Sequence, residues 1–273
     1  MNASSATVLR IGTNALYRLA EHNIVVRIGL SPHAATTAEK EIRVARWLQS
    51  NGVHSARPVR SIAQPISVDG FPVTFWDWIA IDADPPTSRD LGNALRRLHR
   101  LSGDDIDLPC LDPLEPARAR LAIGNGEEDA SLGFLRAECD RLDDAYGELE
   151  FELTAGPIHG DAHVENLAKS GGQTALIDLE TFATGPREWD LTPTAVRHER
   201  FGLPRDQYLE FSRAYGFELT GWPGFPVLRR MREVLVTTWL LGPASLDRRA
   251  RSELTKRLAA LRDGRLKTVW EPL

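Results

Sequence analysis

Apolar and polar positions alternate in three short runs near the start of the chain, Val8 to Gly12, Ala15 to Leu19 and Ile24 to Ile28. A two-residue period marks strands whose two faces meet different surroundings. Gly12-Thr13-Asn14 and His22-Asn23 separate the runs and suit turns, so an antiparallel meander is predicted. The period then changes: between Thr37 and Ser50, Ile42, Ala45, Trp47 and Leu48 recur among charged residues at helical spacing, and Asn51-Gly52 closes the helix. Val59 to Val68 and Pro72 to Ile79 read as two further strands joined around Asp69-Gly70. From Asp82 the pattern is mainly helical. Pro85-Pro86-Thr87-Ser88 supplies a break and an N-cap before a helix from Leu91 to Leu101, and a looped stretch rich in Asp, Pro and Leu lies between Ser102 and Pro116. After Asp190, helices rich in Arg, Glu and Leu run to the end, interrupted at Pro204, Pro223, Pro226 and Pro243. The expected class is α+β, with a small antiparallel-sheet lobe over residues 1–80 and a larger, mainly helical lobe over 81–273.

The segment IHGDAHVENLAKSGGQTALIDLE, from Ile158 to Glu180, carries the candidate chemistry. Asp161 stands five residues before Asn166, and Asp178 follows twelve residues later. Gly156-Pro157 breaks the preceding element, and Gly160 allows a tight loop in a backbone conformation closed to larger residues. Ser170-Gly171-Gly172 reads as a hairpin turn into the apolar run Thr174 to Ile177, which puts Asp178 at the end of a strand pairing back towards the loop. Two carboxylates and a carboxamide so arranged suit Mg²⁺, a hard cation that takes few protein oxygens besides phosphate and water. In protein kinases an Asp, an Asn and a later Asp in this order accept the proton of the attacking hydroxyl and hold the metal on the nucleotide phosphates.

At these residues the chain resembles the aminoglycoside phosphotransferase and choline kinase family, with its His-Gly-Asp loop, following Asn and Ile-Asp strand end. The segment Gly185 to Leu191, GPREWDL, and the helix Leu91 to Leu101 extend the resemblance over most of the chain. It implies a two-lobed, protein-kinase-like fold and an ATP- or GTP-dependent phosphotransferase acting on a small-molecule hydroxyl. Asp161 would then be the catalytic base, Asn166 and Asp178 the Mg²⁺ ligands, and Asp190 a brace for the catalytic loop. Arg27, in the third strand, takes the place of the phosphate-binding Lys of protein kinases, and Glu41 on the next helix that of its ion-pair partner. Arg differs from Lys in bulk and in its paired donors, although an Arg here is familiar in the resembling family. Glu41 is preferred to Glu39 because it lies six residues before Trp47, in the family's helix register. Gly12-Thr13-Asn14-Ala15 is neither GxGxxG nor a P-loop, and only its position ahead of the Arg27 strand makes Asn14 a phosphate-loop candidate. Trp76 and Trp78 fall where the resemblance implies an adenine slot between the lobes.

Composition narrows the partners. The 273 residues are 42% hydrophobic, enough for a sizeable core. No apolar run approaches a membrane span, and the first residues lack a signal peptide's pattern, so a cytoplasmic protein is expected. Cys110 and Cys139 form neither a metal pattern nor a disulfide framework and read as ordinary thiols. A net charge of −5 with pI near 5.8 argues against nucleic acid and favours a cationic small substrate. The basic stretch Asp247 to Lys267 reads as a solvated helix face. Two rivals are a nucleotide-binding module without catalysis and a metal-dependent hydrolase using His159, Asp161 and His163. The residues Thr192 to Leu241, where the resemblance puts the acceptor pocket, point to no particular compound.

Overall fold

The computed structural model describes residues 6–30, 34–123 and 130–273. The early alternating runs form β1 (Thr7–Ile11), β2 (Asn14–Leu19) and β3 (Ile24–Gly29); β4 (Ile66–Val68) and β5 (Phe71–Asp77) complete an antiparallel sheet of order β1-β2-β3-β5-β4. Leu16 pairs with Arg27 and Arg27 with Thr74, so these side chains share one face. Ile24, Val26 and Ile28 occupy the other face, packed with Val59, Val73 and Phe75 in an apolar cluster.

The expected strand from Val59 to Val68 is mostly absent: Ile66–Val68 pairs with β5, and of the rest the Val59 amide bonds to the Phe75 carbonyl. Over the rest, the side chain of Gln64 takes up the hydrogen bonds a strand would make, donating to the carbonyls of Val59 and Phe75 and accepting from the Phe75 amide. The long helix α1 (Ala34–Ser50) begins three residues earlier than predicted and buries Ile42, Val44, Ala45 and Leu48. Helix α2 (Ser88–Leu98) also starts earlier, because Thr87 and Asp90 form a reciprocal capping box at its N-terminus.

The segment carrying Asp161 and Asn166 follows β6 (Gly156–Ile158) and leads into the hairpin of β7 (Leu167–Ser170) and β8 (Gln173–Leu176). The hairpin is fastened from two sides. Leu176 exchanges backbone hydrogen bonds with His54 and Ala56, at 2.9 and 2.8 Å. Asp82 accepts from the Gly171 and Gly172 amides, which hold its carboxylate below the usual range. These bonds draw the hairpin into one compact unit with the sheet, Met1–Pro109 together with Gly156–Thr184. The expected lobes, 1–80 and 81–273, divide the chain by element order; the packing follows the hydrogen bonds.

The second unit, Cys110–Ala155 with Gly185–Leu273, is helical. Its helices are α3 (Glu115–Ile123), α4 (Ala130–Gly147), α5 (Glu188–Arg200), α6 (Arg205–Tyr215), α7 (Phe225–Thr238) and α8 (Arg248–Arg262). Helix α7 is central, touching α3, α4, α5 and α8 and burying Leu228, Met231 and Val234. Pro226 opens this helix instead of interrupting it, since the first turn needs no amide donor there. Arg200 is buried against Glu233 and donates to the carbonyls of Arg265, Leu266 and Thr268. Among the described residues no helix is long and apolar enough to cross a membrane.

Candidate active site

Gly160 adopts φ +85°, and a Cβ there would fall 2.2 Å from the carbonyl oxygen of Thr181. Only glycine lets these backbone stretches approach so closely, as the loop reading anticipates. His159 is fully buried, with Nε2 2.9 Å from the Ile177 carbonyl oxygen, and its own carbonyl accepts from the Thr181 hydroxyl. One of the three residues of the hydrolase reading is thus engaged in holding the loop against Ile177, just beyond β8 and next to Asp178. Among the described residues, no group of three or more His, Cys, Asp and Glu is placed to hold a metal ion.

Asp161 follows Gly160 and keeps a half-open carboxylate, 36% exposed, with His163 Nε2 at 3.5 Å. The nearly buried Asn166 donates its side-chain amide to the Asp161 carbonyl at 2.9 Å and accepts at its backbone carbonyl from Ile177 at 3.0 Å. Those two bonds tie the Asp161 loop to the residue just before Asp178. Asp178 itself has φ +60°, a left-handed conformation that costs a non-glycine residue about 1–3 kcal/mol and collects at functional sites. Hydrogen bonds through Asn166 therefore join the Asp161 loop to Ile177, the neighbour of Asp178.

Arg27, 13% exposed, reaches this region from the sheet. Its Nη1 donates to Glu41 Oε1 at 2.5 Å and its Nη2 to Glu180 Oε2 at 2.8 Å. Asn14 also donates to Glu180, at 3.2 Å, and Lys40 donates to the Glu180 and Phe182 carbonyls. Sequence reasoning missed Glu180. Its position two residues beyond Asp178 was the available signal, whereas its partners lie 166 and 153 residues away. Glu41 is 3% exposed; burial pushes its carboxyl up to about 7, and Arg27 opposes the rise. Burial would lower the Arg27 guanidinium, but Glu41 and Glu180 outweigh it and hold the value above its ordinary one.

The two tryptophans diverge. Trp76 is buried on the Arg27 face of the sheet, its indole N–H donating to Thr74 Oγ1 at 2.8 Å. Trp78, just beyond β5, donates its amide to the Asn23 carbonyl, and the Arg18 guanidinium covers its ring at 4.0 Å. As for metal, the oxygens at hand are hard carboxylate and carboxamide donors, the set that fits Mg²⁺ and not a soft-ligand metal.

Residues 2–234 match the model of the phosphotransferase enzyme family, and the chain belongs to that family. No curated protein sequence matches it. Among solved structures, the amicoumacin kinase hAmiN in complex with AMP-PNP, Ca²⁺ and Ami superposes with a TM-score of 0.78 at 15% identity, covering 99% of this chain and 91% of that one. The APH(2")-IIia complex with GDP and kanamycin gives 0.67 at 15%, over 97% and 95%. Choline kinase LicA from Streptococcus pneumoniae gives 0.64 at 14%, over 93% of both chains. The fold is kinase-like, as expected from the sequence, and the protein is a phosphotransferase.

Proposed function

We propose that this protein is a cytoplasmic, Mg²⁺-dependent small-molecule kinase that moves the γ-phosphoryl group of ATP or GTP to a substrate hydroxyl. The observation that carries the reading is the meeting of Asp161, Asn166 and Asp178 within hydrogen-bonded adjoining segments, in the same compact unit as the Arg27–Glu41 pair. Asp161 is the base: its half-open carboxylate accepts the hydroxyl proton as the oxygen attacks the γ-phosphorus and the bond to the departing nucleoside diphosphate breaks. The bond to the Asp161 carbonyl occupies the Asn166 amide nitrogen and leaves its side-chain oxygen to pair with Asp178 as a metal ligand. Bound there, Mg²⁺ would offset charge on the phosphates. Arg27, held by Glu41, grips phosphate oxygens in paired hydrogen bonds, and Asn14, at the start of β2, covers them. Glu180, which now engages both residues, must yield them to the incoming phosphates. For the nucleobase we assign backbone beyond β5 with the Trp76 and Trp78 side chains as its wall. In such a site the protein contributes positioning and charge stabilisation more than covalent steps.

Similar structures hold both an adenine and a guanine nucleotide, so either donor is compatible with the reading. The acidic net charge favours a cationic hydroxyl compound. The test is a screen of aminoglycosides, amino alcohols, sugars and other hydroxyl compounds for stimulated nucleotide consumption. A Mg²⁺-dependent increase with one class supports the proposal. Mg²⁺-dependent stabilisation by nucleotide without any turnover would favour a binding module, and bound zinc or iron a hydrolase.

A further inference from the structure

A groove of about 730 Å³ opens beside the end of α1, lined by Gln49, His54, Arg57, Arg60, Ser61 and Asp77. It is separate from the candidate active site. Strand alternation puts Asp77 on the face of Val73 and Phe75, opposite Arg27 and Thr74. Its floor is apolar, made by buried Val53, Pro58 and Val59, and its rim is basic. Neither arginine forms an ion pair among the described residues; Arg60 reaches only the amide oxygen of Gln49, at 3.4 Å. The Gln49 amide nitrogen is buried without a hydrogen-bond partner. In a chain of net charge −5, two uncommitted guanidiniums over an apolar floor, facing a single carboxylate, make an unusual local field. Guanidinium donors match the fork of a phosphoryl or carboxylate group, and the volume falls within the roughly 300–1,000 Å³ of small-molecule sites.

We propose that this groove binds a phosphate monoester of a small molecule, its phosphoryl dianion held by Arg57 and Arg60 and its organic part lying over Val53, Pro58 and Val59. The proposal does not depend on the phosphotransfer reading, since it concerns binding on the opposite face of the sheet. The wall of the groove is hydrogen-bonded through His54 and Ala56 to Leu176, two residues before Asp178.

The test is calorimetric titration of the full chain, without nucleotide and at low salt, with glycerol 3-phosphate and with inorganic phosphate. The wild type and the Arg27→Ala variant should bind alike, and Arg57→Gln/Arg60→Gln should weaken binding by about tenfold or more, the worth of a lost charged hydrogen bond. Both arginines are exposed, so an unchanged thermal unfolding midpoint of the double variant checks that it is folded. Tighter binding of the ester than of phosphate supports a monoester site. Equal binding of the two would make free phosphate the ligand and remove the organic part of the claim. Failure of the wild type to bind either probe would overturn the proposal, as would undiminished binding by the double variant. Loss of binding in Arg27→Ala would place the anion on the other face and equally overturn it.

Discussion

Glu41→Gln isolates the electrostatics of the Arg27–Glu41 pair. The Glu41 carboxyl is 3% exposed, and burial raises it from the ordinary 4.5 to about 7 despite Arg27. Between those values the folded protein holds a proton that the unfolded chain has released, so stability falls as pH rises from about 4.5 through about 7. The gap corresponds to about 3 kcal/mol, at about 1.4 kcal/mol for each pH unit. At about pH 5 the native side chain is neutral and glutamine mimics it, so the substitution costs little. At about pH 8 the wild type carries a buried carboxylate that glutamine lacks, so the stability difference should move in favour of the variant by about 3 kcal/mol across that range. Activity should respond with the opposite sign. Ionised Glu41 is what holds Arg27, so wild-type turnover should fall as pH drops below about 7, and the variant, lower overall, should lack that step. Urea denaturation and initial rates across the range measure both. A stability difference independent of pH, with an unchanged acid limb in the variant, would refute the reasoning.

Arg27→Ala should weaken binding of the nucleoside triphosphate by about 10- to 100-fold more than that of the bare nucleoside, because only the former presents oxygens for its charged hydrogen bonds. Equal losses would make Arg27 a support of the fold alone. Asp178→Ala should abolish the Mg²⁺-dependent part of nucleotide binding, and Asn166→Ala, which removes a neutral ligand, should do less; calorimetry with and without Mg²⁺ decides, and an unchanged Mg²⁺ effect in the Asp178 variant would mean the metal is held elsewhere.

What could be read from the chain was local. Gly160, Asp161, Asn166 and Asp178 lie within one short segment, and the turn at Gly171-Gly172 forces the segment to fold back, so their meeting followed from spacing. The Arg27–Glu41 pair was legible because strand and helix are consecutive and their periods are clear. Glu180 was not, since a carboxylate on a short polar turn looks solvated until Asn14 and Arg27 arrive from a distant part of the chain. Likewise Gln64 read as part of a strand, when its side chain replaces one. The bonds that fasten the hairpin to the sheet, from Asp82 to its turn and from Ala56 to Leu176, join residues far apart in sequence and leave no local signal.

The most direct test of the central claim compares wild type with Asp161→Asn on the acceptor identified by the screen, following phosphate-ester formation by ³¹P NMR in the presence of Mg²⁺ and nucleotide. The variant should bind nucleotide as the wild type does but form ester about 10²–10⁴-fold more slowly, the usual worth of a general base. Near-normal ester formation by the variant would contradict it.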